Sequence, residues 1–387
     1  MTTRKICVVT GSRADYGLLY WLLRALRGEP QFDLQVVATG MHLAPEFGLT
    51  KNDITADGFD LAAEVDTLLA SDTPAGVAKS IGLGIIGFAD AFQRLAPELV
   101  VVLGDRFEIL AAATAAYIAR IPLAHIGGGD TTEGAFDEAI RHSITKMSQL
   151  HFVATEDARR RVLQLGEDPR HVYVVGHTGV EAIERMELYP RHEIEQRLGV
   201  RLRKRNFLIT FHPVTLASTP SQTQFAELLA ALEAFGDDTG LLFTKPNADT
   251  EGRALIAMLD DFARTHDNAA VFTNLGQRMY LSVAAQADAV IGNSSSGLFE
   301  APSLKRPTVN IGSRQQGRPL AKSIVSCEPL AASIRGAIEQ ALKLDCSKVT
   351  NPFGRGETSR AIVETLKGIE SPRDLLQKRF HDWKQLP

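Results

Sequence analysis

Two doubly wound α/β domains are what this sequence predicts, and two observations predict them. Short β-branched runs that end in Gly or a polar residue recur along the chain, with helical segments between them. Continuous apolar strands of this kind are buried on both faces, which means parallel sheets covered by helices. The chain, at 387 residues, also exceeds a single core. It suits two domains of about 150–200 residues each.

The runs of the first half are Lys5–Gly11, Leu34–Gly40, Leu99–Asp105, Pro122–Gly128, Leu150–Glu156 and Val172–Gly176. The second half offers Asn206–His212, Gly240–Lys245, Ala270–Leu275, Ala289–Asn293, Thr308–Gly312 and Ile324–Glu328. The segments between them are amphipathic: Val77, Ile81, Phe88, Phe92 and Leu95 recur at spacings that share one helical face. Two sets of six strands point to two Rossmann-like domains, with an eight-stranded barrel as the alternative. The charge-rich stretch Glu181–Arg205 separates the sets. The expected domains are therefore residues 1–180 and 181–370. Pro372–Trp383 reads as a last helix, and residues 371–387 are expected to pack back on the first domain.

Composition bounds the function. A hydrophobic content of 44% and a charged content of 23% are ordinary for a globular protein. A net charge of −4 argues against wholesale nucleic-acid binding, which needs a strongly basic surface. Cys7, Cys327 and Cys346 lie far apart, show no metal-ligand spacing, and read as reduced thiols of a cytosolic protein. Met1 runs straight into a strand-like segment, which leaves no room for a signal peptide. No apolar stretch approaches the ~20 residues of a membrane span. The expectation is a cytoplasmic enzyme with neither a nucleic-acid nor a membrane partner.

Ligands of open α/β sheets bind beyond the carboxyl ends of the strands, so the residues just after each strand carry the chemistry. After the first strand, Gly11-Ser12-Arg13-Ala14-Asp15-Tyr16-Gly17 enters a helix whose free N–H groups can hold an anion. Arg13 adds a bidentate phosphate contact; a capped helix entry is the plainer reading. The three-glycine dinucleotide fingerprint and the P-loop lysine motif are both absent. Asp105, in Gly104-Asp105-Arg106-Phe107-Glu108, reads either as a general base or as a helix N-cap. The next strand ends in His125-Ile126-Gly127-Gly128-Gly129-Asp130, where three glycines let the backbone approach a ligand. Asp130, Asp137 and Glu138 crowd carboxylates around that loop, and Arg141, one turn after Asp137, can pair with it. Crowded carboxylates shift one another's pKa values, as acid–base chemistry requires.

In the second half His212 ends a strand, in Phe211-His212-Pro213, where a structural histidine is the plainer reading. Gly292-Asn293-Ser294-Ser295-Ser296-Gly297 brings hydroxyls and N–H groups to one anion site, with Glu300 one turn later for ribose hydroxyls. Arg314 and Arg318 follow another strand. No His pair and no Cys/His set has metal spacing.

Taken in order, these segments resemble the UDP-N-acetylglucosamine 2-epimerase family, specifically its hydrolysing branch, which feeds sialic and legionaminic acid synthesis. The resemblance runs from about residue 4 to about 330 and rests on segments 11–17, 40–43, 104–108, 134–142, 211–213 and 292–297. Non-hydrolysing relatives carry Gly-Thr-Arg-Pro-Glu at the first motif and His-Arg-Arg-Glu-Asn at the histidine, and this chain has neither. The resemblance implies a glycosyltransferase-B-like fold with the substrate in the cleft between the domains and no cofactor. It implies that Arg13, His212, Ser294, Ser295 and Arg314 surround the diphosphate, that Glu300 holds the ribose, and that Leu275 and Tyr280 line the base pocket. Asp105 and Asp137 fall on acid–base positions, with Arg106, Arg141 and His42 beside the sugar. One departure stands out: the family's Glu-bearing strand end here has Gly127 and Asp130, the latter one methylene shorter than Glu.

The function expected is hydrolytic 2-epimerisation of a UDP-2-acetamido sugar, UDP-N-acetylglucosamine giving N-acetylmannosamine and UDP. A 2,4-diacetamido-trideoxy sugar on UDP or GDP is the alternative. Catalysis falls to Asp105, Asp130, Asp137 and His212, in a homo-oligomer, dimer or tetramer. A glycosyltransferase and a non-catalytic nucleotide-sugar binder are the rival classes, because fold does not fix function.

Overall fold

The computed structural model describes residues 3–69, 71, 73–132, 137–214, 219–246, 252–354 and 356–382. The chain divides into two compact units, each built on its own parallel sheet.

The first unit's strands are β1 (Arg4–Thr10), β2 (Phe32–Thr39), β3 (Leu61–Val65), β4 (Leu99–Leu103), β5 (Leu123–Ile126), β6 (Leu150–Val153) and β7 (Val172–Val174). They align as β3-β2-β1-β4-β5-β6-β7, every pairing parallel. The helices are α1 (Arg13–Arg27), α2 (Lys51–Ala56), α3 (Pro74–Leu95), α4 (Phe107–Ile118), α5 (Asp137–Met147) and α6 (Glu156–Gln164). Within α7 (Thr178–Arg185) the chain passes into the second unit. The central strands are buried almost end to end, as strands covered on both faces must be.

All six predicted runs of the first half form strands, and β3 is an addition to them, which makes seven. Its residues Leu-Ala-Ala-Glu-Val pair with β2 alone, and Glu64 is exposed. An edge strand of small residues carries no continuous apolar run to read.

The predicted face of α3 is the inward one: Phe88 and Phe92 are buried, and Val77, Ile81 and Leu95 are half-buried. The membrane expectation needs amending here. By length and composition α3 suffices to cross a bilayer, the only such helix among the described residues, with a mean hydropathy of 1.4 over 18 residues. Its glycines and the charges Lys79 and Asp90 break up the run that a linear reading looks for.

In the second unit the strands are β8 (Arg205–Thr210), β9 (Thr239–Thr244), β10 (Ala269–Phe272), β11 (Ala289–Gly292), β12 (Thr308–Ile311) and β13 (Ile324–Cys327). Their order is β10-β9-β8-β11-β12-β13, again all parallel. The helices are α8 (Arg191–Leu198), α9 (Ser221–Glu233), α10 (Gly252–Thr265), α11 (Gly276–Gln286), α12 (Ser296–Phe299) and α13 (Ala331–Ala341).

The second unit ends at Gly354, earlier than the expected boundary at 370. The last helix, α14 (Thr358–Lys367), belongs to the first unit, where Ile362, Val363 and Leu366 enter the core beside α1. The expected tail helix is a short 3-10 turn, Pro372–Leu376, and Trp383 lies outside the described residues. Lys378, beyond that turn, donates its Nζ to the Lys146 and Ser148 carbonyls at 2.7 and 2.6 Å. Its ammonium also meets the buried Glu167 carboxylate at 2.5 Å.

In both sheets the strand order reverses, between β1 and β4 and between β8 and β11. Those switch points are where open α/β sheets take their ligands.

Candidate functional site

At the first unit's switch point the β1 and β2 ends are tied by a histidine. His42 Nε2 meets Thr10 Oγ1 at 3.0 Å, and its Nδ1 meets Thr50 Oγ1 at 2.8 Å. The ring is fully buried, and burial holds its pKa down at about 4, so it is neutral. With both nitrogens engaged inside the fold, His42 braces the two loops.

Ser12 caps α1, its hydroxyl accepting the Asp15 N–H at 3.3 Å. Arg13 is the first residue of that helix and, with Arg106, acts electrostatically on His42. Asp15 points inward, and burial pushes its carboxyl up to about 7 against the pull of Arg106.

Asp105 is not a helix cap. The cap position of α4 is Arg106, with no side-chain bond, and the Asp105 carboxylate instead pairs with Arg141 Nη2. Arg141 is almost fully buried and reaches beyond its own helix. Its Nη1 donates to the Asp130 carbonyl at 2.7 Å and to Glu138 at 2.9 Å. Burial alone would lower its pKa, but Asp105, Asp130 and Glu138 more than offset that and hold it above its ordinary value. Asp137 opens the same helix one turn before Arg141, and Asp130 is buried at the end of the glycine loop. Of the segment 134–142, residues 134–136 lie outside the described residues.

His125 anchors this cluster. Its Nε2–H donates to the Gly104 carbonyl at 2.8 Å, so Nδ1 accepts from the Thr145 hydroxyl at 3.1 Å. Burial keeps it neutral, with a pKa of about 3. The glycines that follow have packing reasons. Gly129 has φ +77, and a Cβ there would lie 2.2 Å from the Ala158 carbonyl. A Cβ at Gly128 would press on Thr145 and His125 at 2.9 and 3.1 Å. Gly127 is glycine for its backbone: at φ +83 an L side chain is strained, although a Cβ there would meet the Gly104 nitrogen only at 4.0 Å, an ordinary contact.

In the second unit one side chain organises the switch point. Asn293 Oδ1 accepts the His212 N–H at 2.7 Å, and its Nδ2 donates to the His212 carbonyl at 2.8 Å. The Asn293 carbonyl in turn accepts from Arg314 at 3.2 Å and from buried Gln315 at 2.8 Å. The ends of β8, β11 and β12 are thereby locked together. Gly292 must be glycine, because a Cβ there would fall 1.9 Å from the Thr210 carbonyl.

Ser294 Oγ accepts the Ser296 N–H at 3.4 Å, and Ser295 precedes α12. That helix has only four residues, too short for an appreciable helix dipole, so what this strand end offers is hydroxyls and backbone N–H groups. Burial raises the Glu300 carboxyl at its far end, with the Ser296 hydroxyl opposing. Leu275 is buried beside Met279, and Tyr280 packs half-buried against the same cluster. His212, Ser294, Ser295, Glu300, Arg314, Leu275 and Tyr280 therefore share the second unit, while Arg13, Asp105, Arg106, Asp130, Asp137 and Arg141 belong to the first.

Two residues quoted in the motifs but given no role make close polar contacts at these strand ends, Asn293 and Glu108. Glu108 is the only charged residue of α4, which is a legible signal. Its carboxylate is 2.6 Å from Arg106 Nε and buried.

Two parallel sheets, each with polar strand ends gathered at its switch point, define a protein of paired Rossmann-like units. The chain belongs to the UDP-N-acetylglucosamine 2-epimerase family, whose model matches residues 24–367. It is 41% identical to the GDP/UDP-N,N'-diacetylbacillosamine 2-epimerase (hydrolyzing) of Campylobacter jejuni over 85% of both chains. It is 34% identical to the UDP-N,N'-diacetylbacillosamine 2-epimerase (hydrolyzing) of Legionella pneumophila, over 97% of this chain and 98% of that one. In fold it is similar to the Methanocaldococcus jannaschii UDP-GlcNAc 2-epimerase solved with UDP-GlcNAc and UDP. That match has a TM-score of 0.80 at 20% identity, over 94% of this chain and 99% of the other.

Proposed function

We propose that the protein is a hydrolysing 2-epimerase of a UDP-linked 2-acetamido sugar. The second unit's strand ends take the nucleotide and the first unit's take the sugar. The observation that carries this reading is the Asp105–Arg141 pair beside Asp130, set at a switch point in a chain of this family.

A carboxylate removes the proton from C2 while the C1–oxygen bond breaks, and the electron pair of that bond leaves with UDP. The product of this step is a 1,2-unsaturated sugar. Water then adds its oxygen to C1, and a proton returns to C2 on the opposite face. The sum is UDP-sugar plus water giving UDP plus the 2-epimer. Asp105, Asp130 and Asp137 serve the proton transfers, with His212 at the leaving group. Arg13, Arg314, Ser294 and Ser295 stabilise the departing diphosphate. Glu300 takes the ribose, and Leu275 and Tyr280 take the base.

The sequence alone favoured UDP-N-acetylglucosamine. The names of the Campylobacter and Legionella relatives bring N,N'-diacetylbacillosamine to the front. The reading includes a cytoplasmic homo-oligomer, dimer or tetramer.

Incubation with each UDP-sugar separately in heavy water, without acceptor, tests the proposal. Free UDP with deuterium at C2 of the released sugar is the expected result, with the higher kcat/KM on UDP-N,N'-diacetylbacillosamine. Intact donor would indicate a transferase, and binding without turnover a nucleotide-sugar binder. A higher kcat/KM on UDP-N-acetylglucosamine would return the assignment to that sugar.

A further inference from the structure

Glu108 is a charged residue where the fold has every reason to exclude one. It occupies the first turn of α4, whose other residues carry no charge, and is 1% exposed. Burying a carboxylate is expensive unless it is paired and fully hydrogen-bonded. Glu108 is only half provided for: Oε1 accepts from Arg106 Nε at 2.6 Å, while Oε2 is buried with no hydrogen-bond partner among the described residues.

Two strand ends are nevertheless shaped around it. A Cβ at Gly11 would lie 2.5 Å from Glu108 Cγ, and one at Gly40 would lie 3.3 Å from it. Gly11 is not in the left-handed region, so the close approach of Glu108 is by itself enough to demand a glycine there. Holding a guanidinium by its Nε fixes the plane of the whole group and hence the direction of its two terminal nitrogens. Arg106 is the residue next to Asp105, and its side chain is 12% exposed.

We propose that Glu108 is a positioning residue: wedged in the slot left by Gly11 and Gly40, it fixes the Arg106 guanidinium that serves the sugar beside Asp105. Burial, with Glu108 adding to it, also raises the neighbouring Asp15 carboxyl despite Arg106, so one arginine balances several acids here. The inference rests on the proposed function for what Arg106 serves, while the geometry of the slot is independent of it.

A double-mutant cycle tests it, combining Glu108→Met, which fills the slot without an acceptor, with Arg106→Lys, which lacks the Nε. Glu108→Met is expected to lower kcat/KM about tenfold or more with Arg106 present and less than about twofold in the Arg106→Lys background. Glu108→Gln, which keeps an acceptor for Nε, should recover most of the loss. Gly11→Ala, which pushes the carboxylate aside, should repeat the loss and the same dependence on Arg106, and it replaces Glu108→Met should that variant not fold. Unchanged kcat/KM in Glu108→Met, or equal losses in both backgrounds, would overturn the proposal. Calorimetric binding of the UDP-sugar runs through the same cycle. A parent that binds without turnover therefore refutes the proposed activity while still deciding the role of Glu108.

Discussion

Asn293 spends both polar atoms of its side chain on the backbone of a residue 81 positions earlier. That separation explains why the sequence pointed to the neighbouring serines, which are legible as a phosphate-holding run, and not to the asparagine. Asn293→Ala leaves a buried N–H and a buried C=O of His212 unsatisfied, each costing about 1–3 kcal/mol. We expect the affinity for UDP, measured by calorimetry, to fall about tenfold or more while the far-UV spectrum stays native. Parent-like affinity would reduce the bridge to a structural detail. Asp15 offers a prediction in pH. Its carboxyl lies at about 7 in the folded protein against an ordinary 3.8, so between those values the native state holds a proton that the unfolded chain has released. Stability attributable to Asp15 must therefore fall as pH rises through that window, by at most about 1.4 kcal/mol per pH unit. Urea unfolding of the parent and of Asp15→Asn at pH 4, 5.5 and 7 should show the parent losing ground to the variant with each step. His42 and His125 act in the opposite sense, being held neutral by burial below their ordinary value, but they are common to both proteins and cancel in the difference. A constant difference across the series would mean that Asp15 is ionised in the fold.

At the scale of elements, strands buried on both faces announced themselves, and the weakly apolar edge strand β3 did not. The tail was misread for a related reason. The apolar positions that bury a helix face here belong to α14, whereas after Pro372 the helical spacing of Leu376 and Phe380 is not used: only a 3-10 turn forms, and Phe380 stands 67% exposed. What no local pattern could reveal is that α14 closes the core of the first unit after the chain has built the second. Leu366 is fully buried there, in one cluster with Leu19 and Leu23 of α1. Leu366→Ala should lower unfolding stability by about 2–5 kcal/mol, the range for a large-to-small change in a packed core. Denaturant unfolding followed with separate reporters in the two units should place the loss in the first one. A loss confined to the second unit, or one below about 0.5 kcal/mol, would contradict the packing described here.

On the scale of the whole molecule, α3 poses the remaining question. It is the most apolar long helix among the described residues, yet only a third of its apolar window is buried. Leu83 and Ile86 stand 44% and 65% exposed on its outer side, among the exposed small residues Ala78, Gly82 and Ala89. Tyr117 and Ile118, at 51% and 74%, end the helix that packs against it. Scattered exposed hydrophobes are normal, and we propose that these, carried by two helices in contact, form one face for a partner. A second copy of this chain fits the homo-oligomer expected from the sequence, since small residues let two helices of equal composition approach closely and an isologous contact matches like with like. Introducing charge there tests this directly. Light scattering of Leu83→Lys combined with Ile86→Lys should give the mass of one chain, where the parent gives a multiple of it, with native circular dichroism in both. A parent that is already a monomer, or a variant whose mass does not change, would remove α3 from any interface and leave its outer face as exposed apolar surface.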